Sequence, residues 1–201
     1  MLKKSYYLYL LLFICACTAT TPKNTDGICE IFREKDDWYA EVKESYEKWG
    51  VPIHINMAIM HQESRFVADA QPPRPWVLGI IPWFRSSSAY GYPQAQDASW
   101  QDYLNDSNSR WGADRDDFAD ACDFIGWYCS ISHQRLGISK LDTEKLYLAY
   151  HEGHGGYSRK TYLNKPWLLK VAKKVEQKSR QFQTQLSNCK DEFESTNWFF
   201  W

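Results

Sequence analysis

The chain has 201 residues, which is enough for one domain with a hydrophobic core but leaves little room for two. Its formal net charge is −1 at pH 7, and because a mildly acidic protein is a poor partner for nucleic acid, we set that class of partner aside. Aromatic residues are abundant, with 10 Trp, 13 Tyr and 10 Phe, which suits either a dense small core or a groove that stacks flat ligands.

The first residues have the pattern of an export signal. Two lysines precede an apolar run that is too short to span a bilayer. The run ends in Ile-Cys-Ala-Cys, which resembles the lipobox of bacterial lipoproteins with Cys17 as the acylated residue. We therefore expect a signal peptide over 1–16 and a lipid-anchored mature chain with a formal charge of about −3, since both lysines are removed. Thr18 in place of Asp favours the outer membrane, facing the periplasm, whereas plain secretion is the alternative.

The next residues, 17–27, lack hydrophobic periodicity and predict a flexible tether. The first predicted helix has apolar residues at three- and four-residue steps, namely Trp38, Val42, Tyr46 and Trp49. Gly50 and Pro52 predict a stop and a restart, and the second apolar helix leads directly to Glu63.

The middle of the chain is irregular. From Ala70 to about Pro93 it is rich in proline, serine and aromatic residues, which predicts an insertion or a wall of a cleft. Helical spacing returns in three later stretches, at 118–128, 144–150 and 166–186. Strand-type alternation is nearly absent. The sequence thus predicts a mainly α-helical single domain over 28–190, followed by an aromatic tail at 191–201 whose role stays open.

Four cysteines follow the lipobox, and an even number in an exported protein suggests disulfides, with three possible connectivities. Cys29 and Cys189 flank the predicted domain, and a bond between them would tie its two ends together. Cys122 and Cys129 lie seven positions apart, which on one unbroken helix separates their Cα atoms by about 10 Å, beyond the roughly 7 Å that a disulfide tolerates. A bond within this second pair would need a break at Gly126.

Glu63 is the candidate catalytic residue. It ends an apolar helix, so we expect its carboxyl at the rim of the core, where desolvation raises the pKa. A carboxylic acid that stays protonated near neutral pH can donate a proton to a glycosidic oxygen. Position alone is a weak signal, because a Glu followed by Ser64 at a helix end is more often simply exposed.

Three motifs that follow in order strengthen this interpretation. They are Glu63-Ser64, Tyr90-Gly91-Tyr92-Pro93-Gln94 and Ala149-Tyr150-His151-Glu152-Gly153. In this order they resemble the soluble-type lytic transglycosylases, a family whose lysozyme-like helical fold is shared with goose-type lysozyme, over approximately residues 38–175. The resemblance implies that Glu63 is the catalytic acid. It assigns substrate contacts to the residues around the motifs, which are Ser64, Tyr90, Gly91, Gln94, Tyr150, His151 and Glu152.

The resemblance also implies a mechanism and a role in cell-wall remodelling. Glu63 would protonate the oxygen that links N-acetylmuramic acid to N-acetylglucosamine and then, as a carboxylate, take the proton of the muramic acid O6, which closes a 1,6-anhydro ring. Neither a cofactor nor a second carboxylate is required. Tyr150 would donate a hydrogen bond near Glu63, and Gln94 would bind a sugar. Three rings are candidates for stacking walls, namely Trp76, Trp83 and Tyr90.

Two departures from the family pattern keep alternatives open. Tyr92-Pro93 replaces Leu-Met, and His151-Glu152 replaces Asn-Ala, so the floor of the groove differs. One alternative is a lysozyme-type hydrolase on the same fold, with Asp69 or Asp97 positioning water. Another is a weakly active peptidoglycan-binding envelope lipoprotein with protein partners that the sequence does not identify.

A metal site is a further possibility that the residue types raise, because two histidines and a glutamate, common zinc ligands, cluster at 151–154. Their spacing does not match the His-Glu-x-x-His helix of metalloproteases. Gly153 and the two glycines that follow it also predict that the helix ends here. We therefore expect no metal.

Overall fold

The computed structural model describes residues 20–77, 81–82, 85, 87–107 and 111–196. The predicted mainly α-helical fold is confirmed. The helices are α1 (Ile28–Glu34), α2 (Trp38–Trp49), α3 (Ile53–Ser64), α4 (Asp97–Asp106), α5 (Phe118–Leu136), α6 (Thr143–Ser158) and α7 (Pro166–Thr196), with a 3-10 turn at Thr161–Asn164. A two-residue antiparallel pairing of β1 (Trp76–Val77) with β2 (Ile81–Pro82) lies in the predicted insertion. Among the described residues, no helix is both long and apolar enough to cross a membrane.

Helix α3 is the centre of the core. Its residues are buried on almost every side, as expected for a helix enclosed by others, and it packs against α7, α5 and α2. The helix ends where Arg65 and Phe66 adopt left-handed backbone conformations, with φ of 50° and 62°. Phe66 is fully buried, with its ring centroid 5.9 Å from that of Trp38. This buried corner holds the last turn of α3, and with it Glu63, at the edge of the core.

Helices α2 and α5 approach each other closely at a glycine. A Cβ atom at Gly126 would lie 2.5 Å from the Ser45 Oγ and 2.7 Å from the Trp49 ring, so only glycine permits this packing. Gly126 does not break α5, which runs unbroken from Phe118 to Leu136. The proposed bond between Cys122 and Cys129 is therefore wrong: both are buried free thiols, seven residues apart on one continuous helix.

The segment before α1 is docked on the domain, and the prediction of a flexible tether is wrong for residues 20–27. Asp26 forms an ion pair with Lys178 of α7 at 2.7 Å, and its carbonyl oxygen accepts hydrogen bonds from Gln181 and Gln185. Gly27 is buried. The Cys29–Cys189 disulfide joins α1 to α7 directly after this segment. Positions 17–19 and the predicted signal peptide lie outside the described residues.

The other end of the domain also extends beyond its predicted boundary. Helix α7 passes residue 190 without a break and ends at Thr196. Phe193 packs edge-on against Phe32, with ring centroids 5.6 Å apart, and Glu192 pairs with Arg33 at 2.9 Å. Residues 191–196 therefore belong to the domain because α1 and α7 bury apolar surface against each other. The remaining tail, 197–201, lies outside the described residues.

Candidate active site

A break within α6 shapes the site. Gly153 has φ 72° and ψ 157°, which is not helical, and the helix resumes after it as far as Ser158. The predicted helix end at the glycines is therefore a kink. Beyond the kink His154 turns towards α5, where its ring stacks on Tyr128 with centroids 4.4 Å apart and its Nε2 lies 3.0 Å from the Ser132 Oγ.

A cleft of about 410 Å³ opens between the end of α3, the 89–99 segment, α5 and the kink of α6. Four of the predicted site residues besides Glu63 line it, together with the aromatic rings of α5. The lining includes Glu63, Gln94, Tyr128, Tyr150, His151 and Glu152. The tertiary structure thus brings together residues from all three motifs around one cavity.

Glu63 has the electrostatic properties of a proton donor. Burial raises the pKa of its carboxyl to about 7, against an ordinary value of 4.5, and a hydrogen bond from Tyr147 acts in the opposite direction. Its Oε1 is buried and has no hydrogen-bond partner among the described residues. A group with a pKa near 7 exchanges its proton readily at neutral pH, so Glu63 can serve in turn as acid and base.

Tyr147 was missed by the sequence analysis, which gave its role to Tyr150. The Tyr147 hydroxyl donates to the Glu63 carboxyl, and burial together with that carboxylate raises the pKa of Tyr147, so the hydroxyl keeps its proton. Tyr150 instead donates to the Pro93 carbonyl oxygen at 2.6 Å and thereby ties α6 to the second motif. The two tyrosines are three residues apart on α6 and share a face, a spacing that could have identified Tyr147.

The second motif forms a tight turn that presents Gln94 to the cleft. Gly91 has φ 77°, and a Cβ there would clash with the Arg115 carbonyl, so glycine is required. The Gln94 side-chain amide donates to the Ala70 and Gly91 carbonyl oxygens at 2.7 and 2.9 Å. Because the turn uses both N–H groups, a ligand at this position would donate to the Gln94 amide oxygen.

Glu152 is a buried carboxyl that its neighbours hold in the ionised form. Its side chain is 3% exposed, accepts a hydrogen bond from Lys165 at 2.7 Å and one from Thr161, and lies 3.4 Å from the His151 Nδ1. Burial raises the pKa of Glu152, but these hydrogen bonds outweigh it and the net direction is down. The His151 ring, which also lines the cleft, packs edge-on against Trp167 with centroids 5.3 Å apart.

A family described as "Transglycosylase SLT domain" matches residues 5–189, which is most of the chain. The chain belongs to this family. Membership confirms the resemblance seen in the three motifs and points to transglycosylase activity on peptidoglycan in general terms. No curated protein matches the chain.

Three of the predicted substrate contacts of this SLT domain, Ser64, Tyr90 and Gly91, do not line the cleft, and Gly91 instead forms the turn that carries Gln94. Ser64 is buried, and its hydroxyl donates to the Met60 carbonyl oxygen at 3.3 Å within α3. The Tyr90 hydroxyl donates to Asp116 at 2.8 Å, and the Arg115 guanidinium lies 5.4 Å from the centre of the Tyr90 ring. The hydroxyls of Ser64 and Tyr90 are therefore both hydrogen-bonded within the protein. Of the other proposed stacking rings, Trp83 and the side chain of Trp76 lie outside the described residues.

The two carboxylates considered for water positioning also lie away from the cleft lining. Asp97 forms an ion pair with Arg115 at 2.9 Å and is not part of the cleft lining. Asp69 is exposed. Among the described residues, no group of three or more His, Cys, Asp or Glu side chains is arranged to hold a metal ion.

Proposed function

We propose that this SLT domain is a lytic transglycosylase that cleaves the β-1,4 bond between N-acetylmuramic acid and N-acetylglucosamine and leaves 1,6-anhydro ends. One observation carries the proposal. Glu63 has a pKa of about 7 in the cleft, and the other lining carboxyl, Glu152, is held ionised by Lys165. A single acid that works in both directions fits internal attack by a sugar hydroxyl.

The first step uses protonated Glu63. Its proton passes to the bridging oxygen as the bond from that oxygen to C1 of the muramic acid breaks, and positive charge develops at C1. Glu63 is then a carboxylate, which the Tyr147 hydroxyl stabilises through its hydrogen bond. The acetamido group of the same sugar can shield the charge at C1, and the Gln94 amide oxygen is available to an acetamide N–H.

The second step returns the proton. The Glu63 carboxylate removes the proton from O6 of the muramic acid while O6 forms a bond to C1, so the ring closes and the acid is restored. A hydrolase would need a second carboxylate to hold attacking water. Among the described residues, Asp69 and Asp97 do not line the cleft, and Glu152 forms an ion pair with Lys165.

Mass spectrometry of the products tests the proposal. Purified peptidoglycan is incubated with the protein, and the released muropeptides should be about 18 Da lighter than hydrolysed ones, since no water is added. Glu63→Gln should release none, whereas Glu152→Gln, a matched change in the same cleft, should still release anhydro products. Hydrated ends would instead identify a hydrolase, and no release by the unaltered protein would leave only a binding role.

We further propose that the protein is anchored through Cys17 to the outer membrane, faces the periplasm and remodels the cell wall there. The lipobox-like sequence and Thr18 support this location. A fatty acid probe should label the protein in cells, and the label should disappear in Cys17→Ser while Cys122→Ser retains it. Labelled protein in the inner-membrane fraction would contradict the assignment to the outer membrane.

A further inference from the structure

A second pocket opens beside the catalytic cleft, between α4, α5 and the part of α6 beyond Gly153. We call it the lateral pocket, and its volume is about 620 Å³. It shares the lining residues Ser99, Tyr128 and Gly153 with the catalytic cleft. A ligand bound at Glu63 can therefore extend into the lateral pocket along a continuous surface.

The lateral pocket is lined by groups of both charges. Arg135 contributes a guanidinium from the last turn of α5, while Asp102 and Asp106 contribute carboxylates from α4. Asp106 accepts a hydrogen bond from the indole N–H of Trp127 at 3.1 Å. Within the described part of the chain, neither Arg135 nor Asp102 forms an ion pair or a hydrogen bond with another residue.

The aromatic residues of the lateral pocket are not placed to stack on a sugar. Trp127 and Tyr128 are only 5% and 8% exposed. The His154 ring covers one face of Tyr128, and the Tyr128 hydroxyl donates to the Ala149 carbonyl oxygen at 3.4 Å. Burial and then the nearby charge of Arg135 lower the pKa of His154, so this side chain is neutral at pH 7. Arg135 is thus the cation of the described lining.

A pocket with a cation and carboxylates on its walls, and without an open ring face, suits a ligand that carries both charges. The glycan backbone of peptidoglycan is uncharged while its stems are attached, because each lactyl carboxyl group is then part of an amide bond. Its peptide stem, which branches from the muramic acid, carries carboxylates and, where it contains a diamino acid, a free amine. Because the muramic acid occupies the catalytic cleft in the proposed reaction, a stem that branches from it can reach the lateral pocket across the shared wall at Tyr128 and Gly153.

We propose that the lateral pocket binds the peptide stem, with Arg135 pairing with a stem carboxylate and Asp102 with the free amine. This inference rests on the proposed function, since the stem reaches the pocket only if a glycan strand lies in the cleft. It makes the stem a determinant of substrate choice for this enzyme.

Binding to Glu63→Gln protein tests the inference, because this variant holds the ligand without consuming it. Two glycan preparations are compared, one with intact stems and one stripped by an amidase, which leaves a lactyl carboxylate on each muramic acid. We expect stem-bearing glycan to bind about tenfold more tightly, and the added Arg135→Gln change to reduce that preference to about twofold. Arg180→Gln removes an exposed arginine of α7 that pairs with Glu176, and it should retain the full preference.

The amine contact has its own test. Acetylation of the stem amine should weaken binding to the Glu63→Gln protein about threefold. Asp102→Asn should weaken binding of unmodified stems by the same factor, and this variant should no longer distinguish acetylated from free stems. An additional loss on acetylation in Asp102→Asn would overturn the assignment of Asp102.

Equal affinity of the Glu63→Gln protein for the two glycans would overturn the proposal. An added Arg135→Gln change that weakens binding of both glycans by the same factor would also overturn it. Turnover by the unaltered protein separates the test of the proposed reaction from the test of stem binding in the lateral pocket. Anhydro products without any stem preference in binding would reject this inference alone. A stem preference that depends on Arg135, found without turnover, would reject the proposed reaction and leave the lateral pocket as a stem-binding site.

Discussion

Glu63 and Glu152 line the same cleft, yet their surroundings drive their protonation in opposite directions. Burial raises the pKa of Glu63 to about 7, and the hydrogen bond from the Tyr147 hydroxyl opposes this rise. Burial acts on Glu152 too, but the hydrogen bonds from Lys165 and its neighbours outweigh it and lower the pKa. The two carboxyls differ because Glu63 is deeply enclosed with a neutral hydroxyl beside it, whereas Glu152 has an ammonium group and further donors beside it.

This contrast shows how one cleft can hold both a working acid and a fixed charge. A buried carboxyl without a cation retains its proton and can transfer it at neutral pH. A carboxyl with a cation and further donors is ionised and holds structure together, as Glu152 does between α6 and the start of α7. The partner of each carboxyl, and not its residue type, decides its role.

The largest expected effect separates the two carboxyls by turnover. Glu63→Gln should lower kcat about 1,000-fold, since it removes general acid and base catalysis at once. Glu152→Gln should lower kcat by no more than about tenfold, because it disturbs only the support of the cleft. Release of soluble muropeptides from peptidoglycan measures both. Equal losses in the two variants would refute the division of roles.

The pH dependence of stability gives the next effect. The pKa of Glu63 is about 7 in the folded chain and 4.5 ordinarily, so the fold favours the protonated acid. This contribution is fully present below pH 4.5 and is lost as the pH rises through 7. We expect the protein to lose up to about 3 kcal/mol of unfolding free energy relative to Glu63→Gln across this interval. Urea denaturation from pH 4 to about 8 measures the difference, and a constant difference would contradict the raised pKa.

A smaller effect tests the hydroxyl beside Glu63. Tyr147→Phe removes a hydrogen bond that stabilises the carboxylate, so the pKa of Glu63 should rise further. The alkaline limb of the pH–rate profile should move to higher pH, and kcat should fall about tenfold. Tyr150→Phe removes a hydroxyl that donates to the Pro93 carbonyl oxygen and not to Glu63, so the alkaline limb should stay at the same pH. An alkaline limb that moves only in Tyr150→Phe would show that Tyr150, and not Tyr147, positions Glu63.

The smallest effect concerns the cation beside Glu152. Lys165→Met leaves a buried carboxyl without its ammonium partner, so the pKa of Glu152 should rise and stability at pH 7 should fall by about 1 kcal/mol, because Lys165 is partly exposed. Thermal unfolding measures the loss, and combining Lys165→Met with Glu152→Gln should recover most of it. Failure of the double variant to recover would show that Lys165 stabilises the fold by other contacts.

Local sequence rules predicted much of the fold. Gly50 ends α2 in a left-handed conformation, as its position after Trp49 indicated, and Pro166 begins α7. Helices α1 and α4 were not predicted, because they are short and short helices depend on tertiary contacts for stability. The docking of residues 20–27 was missed for a similar reason: Asp26 finds its partner, Lys178, far away in the chain.

The residues of the site were also predicted only in part. Glu63, Gln94, Tyr150, His151 and Glu152 line the cleft as their motifs suggested. No pattern around Ser64 or Tyr90 shows that their hydroxyls point to Met60 and Asp116. The hydrogen-bond partners of a side chain depend on how helices meet, which residue types alone do not specify.

The sequence by itself determined where the helices run and that an acid ends the central apolar helix, because periodicity, proline and glycine act over a few neighbouring residues. The tertiary structure alone decided that Tyr147 donates a hydrogen bond to Glu63, that Lys165 holds Glu152 ionised and that the lateral pocket adjoins the cleft. Protonation and recognition depend on distances across the fold, and α3, α5 and α6 set those distances only when they pack.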